Sequence, residues 1–145
     1  MRRILKTSVL IYLWAALIED SVLFVMSWLA PQVWFHLFHN TTTFTVLETA
    51  FLRRSGGQWL AFALAQAITL LCWRKWPVWL VITAGVRFSD LFTDICYILA
   101  APALTKLGWL LLLPPPLLNL IGVVIMLRGY EQIRSARVDP GTSRG

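Results

Sequence analysis

Charge is scarce in this chain. Asp, Glu, Lys and Arg together make up 14% of its 145 residues, against roughly 25% in soluble domains, while 58% are hydrophobic against roughly 45 to 50%. That balance excludes an ordinary soluble globule, which needs a charged surface to face water. Cysteine is nearly absent as well: Cys72 and Cys96 stand alone, without the Cys-x-x-Cys spacing of a redox-active dithiol. They read as small apolar fillers. The sequence also lacks an internal repeat and a glycine-rich phosphate loop.

What is present is four apolar runs, Thr7 to Ala30, Gly56 to Trp73, Pro77 to Ala101 and Leu107 to Leu127. Each approaches or exceeds the ~20 residues that cross a ~30 Å hydrocarbon layer as a helix. The expected fold is therefore all-α, a four-helix transmembrane bundle with spans at about 7–30, 56–73, 77–101 and 107–127. Residues 1–133 form one transmembrane domain, and 134–145, polar and carrying Pro140 and Gly141, form a flexible cytoplasmic tail.

The formal charge of +6 does not point to nucleic acid, because the cations gather at span ends and not on one exposed face. Arg2, Arg3 and Lys6 precede span one. Arg74 and Lys75 separate spans two and three, and Arg128, Arg134, Arg137 and Arg144 follow span four. The positive-inside bias then places both termini and the short loop between spans two and three in the cytoplasm. Membrane lipids are the expected surroundings, and a homo-oligomer or a membrane complex partner is compatible with so small a chain. Glu19 and Asp20 interrupt the first run, and bulky Trp28 sits where a cleavage site wants a small residue, so that run reads as a retained span and not a signal peptide.

Pro31 breaks the first helix, and the segment after it is too rich in Trp34, Phe35, Leu37 and Phe38 for a solvated loop. It is expected to lie in the membrane interface between helices one and two. Thr45 and Glu48 have capping-box spacing, which predicts a short helix leading into span two. Gly57, Ala61 and Ala65 recur at four-residue intervals and predict a close helix contact. Pro114, Pro115 and Pro116 interrupt span four, which reads either as a broken helix or as a short re-entrant piece followed by a helix from Leu117 to about Ile133. His36 and His39, three residues apart, are a possible metal pair with Glu48. Beside three bulky aromatics they read better as interfacial side chains, and neither a metal nor a cofactor is expected.

The strongest signal is where the acids lie. Of seven, Glu19, Asp20, Asp90 and Asp94 fall within predicted spans, together with Arg87. Each charge at a span centre costs about 2.5 to 3.5 kcal/mol on the insertion scale, so such groups are retained for a use. Glu19, Gln66, Asp90 and Asn119 lie within about two residues of their span midpoints, or about 3 Å at the helical rise. On span three, Thr83, Arg87, Asp90, Asp94 and Tyr97 fall within an arc of about 80°. On span one, Ser8, Tyr12 and Glu19 share a face, with Asp20 about 100° round from Glu19. Spans one and three should face each other and enclose Gln66 and Asn119. Arg87 is expected to pair with Asp90 or Asp94 nearby or with Glu19 across the bundle, and with acids in excess one or more should hold its proton at neutral pH.

The stretch Phe51-Leu-Arg-Arg-Ser-Gly-Gly-Gln-Trp-Leu-Ala61, with its Arg-x-x-Gly-Gly entry into a small-residue helix, resembles small bacterial membrane proteins of the DoxX-like family. The resemblance implies a four-helix architecture and assigns no catalytic residue.

The expected function is to bind a lipophilic small molecule, or to serve as a membrane accessory protein, through a midplane pocket anchored by Asp20, Gln66, Arg87, Tyr97 and Asn119. The alternative is a membrane isomerase or cyclase in which Glu19, Asp90 or Asp94 acts as proton donor to a lipophilic substrate. Proton or ion translocation ranks third, because transporters favour paired repeats with broken helices in both halves. Purely structural interhelical hydrogen bonding, worth about 0.6 kcal/mol per group, is the plainer explanation of the same residues.

Overall fold

A computed structural model describes residues 3–101 and 103–138. Among the described residues the chain is helical throughout, with no strand. The helices are α1 (Arg3–Leu29), α2 (Pro31–His39), α3 (Val46–Cys72), α4 (Val78–Ala100), α5 (Lys106–Leu112) and α6 (Pro114–Val138). Three stretches, Arg3–Leu29, Val46–Cys72 and Lys106–Arg137, are long and apolar enough to cross a membrane, which marks the chain as a membrane protein. α4 has 23 residues and holds three charged side chains, Arg87, Asp90 and Asp94, close together in its middle.

The four long helices close a ring. α1 packs closely on α3 and α4 on α6, while α3 meets α4 and α6 meets α1. α1 and α4 thus stand across the ring from each other. The outward faces are apolar, with Ile11, Ile18 and Val25 exposed on α1, Leu64 and Leu71 on α3, Phe88, Phe92 and Leu99 on α4, and Leu117, Ile121 and Val124 on α6. Buried polar side chains occupy the interior, the reverse of a water-soluble bundle. They separate two apolar clusters. One, built on Val9, Leu13, Trp73, Leu80, Ala84 and Met126, fills the end nearest the α3–α4 turn. The other, Trp34, Phe38 and Leu52, joins α2 to α3.

Local chemistry explains the helix ends. Thr45 Oγ1 accepts from the Glu48 amide at 3.1 Å while Glu48 Oε2 accepts from the Thr45 amide at 2.5 Å, completing the expected capping box. The helix it starts does not stop before span two: α3 is one helix of 27 residues, beginning ten residues earlier than the apolar run, because Arg53 and Arg54 interrupt hydrophobicity without interrupting helix propensity. Pro31 opens α2 at a first-turn position, and Asn40 closes it in the left-handed region at φ 49. The α2 end is tied to α5, since the Thr105 amide donates to Phe38 O at 2.9 Å and Thr105 Oγ1 to Leu37 O at 2.5 Å. A side chain at Gly108 would press on the Phe38 carbonyl, so the crossing requires glycine.

The proline run lies at a helix start and not inside one. α5 ends at Leu112 and α6 begins at Pro114, where amides have no helical acceptor to lose, so the second helix opens three residues before Leu117. It continues to Val138, past the expected start of the tail at 134; residues 139–145 fall outside the described residues. The small-residue line is also corrected. Gly57 and Ala61 are exposed, and a side chain at Gly57 would meet nothing. The close contact is made by its neighbour Gly56, whose added Cβ would run into Ser27 and Trp28 of α1. Cys72 is half-buried and Cys96 is exposed, so Cys96 fills no core space.

Candidate functional site

Most of the interior polar groups join one network, to which α1, α3, α4 and α6 bring Asp20, Gln66, Arg87 and Asn119. Its centre is Arg87 on α4, 1% exposed. Nη2 of Arg87 forms an ion pair with Asp20 Oδ2 on α1, and Nη1 donates to Asp90 Oδ2 at 3.1 Å and to Asn119 Oδ1 at 3.3 Å. Gln66 on α3 donates to the same Asp20 oxygen at 2.7 Å. Asn119 on α6 donates through Nδ2 to Asp90 and Asp94, each at 3.1 Å, and accepts from Tyr12 Oη at 3.3 Å. One level away, the Thr69 and Thr83 hydroxyls share a hydrogen bond of 2.6 Å between α3 and α4. Every helix of the ring contributes a partner.

Two local features let the groups meet. Gly122 on α6 leaves room for the Tyr12 ring, which any side chain there would overlap. The Phe62 ring lies 5.4 Å from the Arg87 guanidinium carbon, so a cation–π contact supports the charge where water does not reach. Among the described residues, Gln66 Oε1 and Arg87 Nε are buried without a hydrogen-bond partner.

The expected stripe on α4 is present, with Thr83, Arg87 and Asp90 buried and Asp94 and Tyr97 half-buried. On α1 the structure reverses the emphasis. Asp20, not Glu19, holds Arg87; Glu19 is half-buried beside it. The 100° between the two side chains decides this, because α1 turns Val9, Leu13, Ala16 and Asp20 inward. Ser8, which shares a face with Tyr12, is used locally, donating to Ile4 O at 3.1 Å.

Above the network lies a cleft of about 1190 Å³. Glu19, Asp20, Asp90 and Asp94 line its deep end; of the five expected anchors Asp20 and Tyr97 line it, while Gln66, Arg87 and Asn119 do not reach its wall. Leu23, Met26, Phe62, Leu111 and Leu112 form apolar sides. Trp34, Phe38, Trp59 and Tyr97 add an aromatic wall, with Trp34 stacked on Phe38 at 4.3 Å between centroids and 5.2 Å from Trp59. His39 Nε2 and Tyr97 Oη are hydrogen-bonded at 2.6 Å on the same wall. His36 is exposed and does not line the cleft. Among the described residues no three His, Cys, Asp or Glu side chains come together as a metal site.

Several wall residues escaped the sequence reading. Trp59 and Phe62 lie seven and four positions before Gln66 on one face of α3, a spacing that carries the signal once Gln66 is placed inside. Trp34 and His39 join the site through contacts with Tyr97, 63 and 58 residues away in sequence, which no local pattern encodes. Comparison of the chain with protein-family models, with curated proteins and with solved structures finds no match.

Proposed function

We propose that this chain is a four-crossing membrane protein that binds a lipophilic small molecule in the cleft between α1, α2, α3, α4 and α5. The observation that carries the reading is the cleft itself: about 1190 Å³, aromatic and aliphatic along its length, with carboxylates at its deep end. Ligand pockets typically measure about 300–1,000 Å³ and combine apolar walls with a few convergent polar groups. A network serving only to hold helices together has no need of an adjoining cleft.

Four crossings are supported by the ring of helices and by α4 having 23 residues, enough to cross, with Arg87 and Asp90 facing inward to partners. Both termini are assigned to the cytoplasmic side. Arg74 and Lys75 lie at the same end as the last turns of α6, where Arg137 Nη2 donates to Arg74 O at 3.0 Å and Lys75 O at 3.3 Å. Leu5, Tyr130 and Ile133 pack on the cluster at that end, so the basic start of α1 is there too.

A second reading, an isomerase or cyclase, is favoured by one observation. Glu19 and Asp94 line the cleft while Arg87 directs its ion pairs to Asp20 and Asp90, which leaves two acids facing any bound molecule as proton donors. A translocation path is disfavoured by the packing of Leu13, Leu80, Ala84 and Met126 between the network and the basic end.

The test is to copurify lipids with the wild type and with Asp94→Asn, then assay conversion of the bound species. A lipophilic molecule enriched with the protein supports the pocket. Its turnover by the wild type, lost in Asp94→Asn with binding retained, supports catalysis. No enriched molecule in either preparation contradicts both readings.

A further inference from the structure

The deep half of the cleft has a charge character that narrows its ligand. Glu19, Asp20, Asp90 and Asp94 all reach its wall, whereas the guanidinium of Arg87 is engaged behind them. Among the described residues lining the cleft, Arg54 is the sole Lys or Arg. It lies twelve positions before Gln66 on α3, about 18 Å away along the helix, in the mouth with Glu48. Behind the wall, Gln66 is wholly buried, donates to Asp20 and leaves its amide oxygen without a partner, a further acceptor at the same end. Arg87 Nε, the unpartnered donor of the network, belongs to a group that does not reach the cleft.

Aromatic faces complete the pattern. Phe62, Trp59, Trp34 and Tyr97 line the space next to the acids. Carboxylates joined to aromatic faces are the chemistry that recognises an organic cation, since both offer negative potential while the rings also accept an apolar body. A neutral lipophile would leave Glu19 and Asp94 either bearing costly unpaired charge or obliged to take up protons, whereas an ammonium lets them stay ionised. A zwitterionic phospholipid headgroup would bring a phosphate against the same carboxylates.

We propose that the pocket selects a lipophilic amine, its protonated nitrogen held by Asp94 and Glu19 and its hydrocarbon body lying between Trp34, Trp59 and Phe62. This rests on the pocket reading above and adds the charge of the ligand to it.

The test uses the full chain in an uncharged detergent, with a dibrominated dodecylamine and the dibrominated dodecanol of the same length as probes. Bromine near Trp34 and Trp59 quenches tryptophan fluorescence. The amine is expected to quench saturably, with a half-saturation at least roughly tenfold below that of the alcohol, equivalent to about 1.4 kcal/mol. Asp94→Asn and Glu19→Gln are each expected to reduce that preference while leaving quenching by the alcohol in place. Saturable quenching with equal half-saturation for both probes overturns the selection of a cation and leaves a lipophilic pocket standing. An amine preference unchanged in both folded variants assigns the nitrogen elsewhere and overturns the proposal. No saturable quenching by either probe overturns the proposal and the pocket together. The wild-type comparison stands even where a variant fails to fold, and thermal unfolding of each variant separates that case.

Discussion

Arg87 and Asp20 form an ion pair across the ring of helices, 67 residues apart in sequence, with each side chain 1% exposed. Neither helix packs extensively on the other, so the contact is made by the side chains reaching through the interior. Asp90 and Asn119 share the guanidinium, and Gln66 shares the Asp20 oxygen, so the pair fixes the relative rotation of all four long helices.

Asp20→Leu should destabilise the protein by about 3 to 5 kcal/mol, because it strips a partner from a buried guanidinium. The double substitution Asp20→Leu with Arg87→Met should recover much of that loss, since Asp90 keeps its bond from Asn119. Thermal unfolding in detergent checks the comparison. A double variant no more stable than Asp20→Leu alone would show that the pair is not the coupled unit described.

Asn119→Leu should cost more than Tyr12→Phe. The amide of Asn119 serves Asp90, Asp94, Arg87 and Tyr12, and its loss leaves several buried groups unsatisfied, at about 1 to 3 kcal/mol each. Tyr12 makes one bond of 3.3 Å there, worth about 0.5 to 1.5 kcal/mol. Chemical unfolding of the two variants ranks them.

How far the interior was legible depended on the range of the signal. The stripe on α4 and the shared depth of Gln66, Asp90 and Asn119 follow from helical periodicity and span length, and the structure joins Gln66, Arg87, Asp90, Asp94 and Asn119 in one network. The capping box at Thr45 is local chemistry and forms as read. The choice between Glu19 and Asp20 was not legible, because adjacent residues differ by a rotation that only the packing of α1 against α3 fixes. The same rotation placed Gly56 and not Gly57 at the contact with α1. The pairing of His39 with Tyr97 depends on how α2 folds back over the bundle, which the sequence of α2 alone does not state.

Gly56→Ala and Gly57→Ala form a matched pair that reports this rotation. An alanine at 56 meets Ser27 and Trp28 and should cost about 1 to 3 kcal/mol, as overpacking does. An alanine at 57 meets open space and should stabilise by up to about 1 kcal/mol through helix propensity. Equal effects in thermal unfolding would contradict the placement of α3 against α1.

Thr45→Ala removes the side-chain half of the capping box and should cost about 0.5 to 2 kcal/mol. Hydrogen exchange should show the loss confined to the first turns of α3, with the network around Arg87 as protected as in the wild type. Increased exchange at Gln66 would mean that the start of α3 and the interior unfold together.

The central claim is that the cleft above the acid cluster holds a lipophilic molecule, and native mass spectrometry of the wild type and Leu23→Trp tests it most directly. Leu23 lines the cleft without bonding to the network, so a tryptophan there narrows the apolar space beside the acids and leaves the polar interior intact. The account predicts a noncovalent lipophilic adduct on the wild type that is markedly less abundant on folded Leu23→Trp. An adduct equally abundant on both proteins, or absent from both, would contradict it.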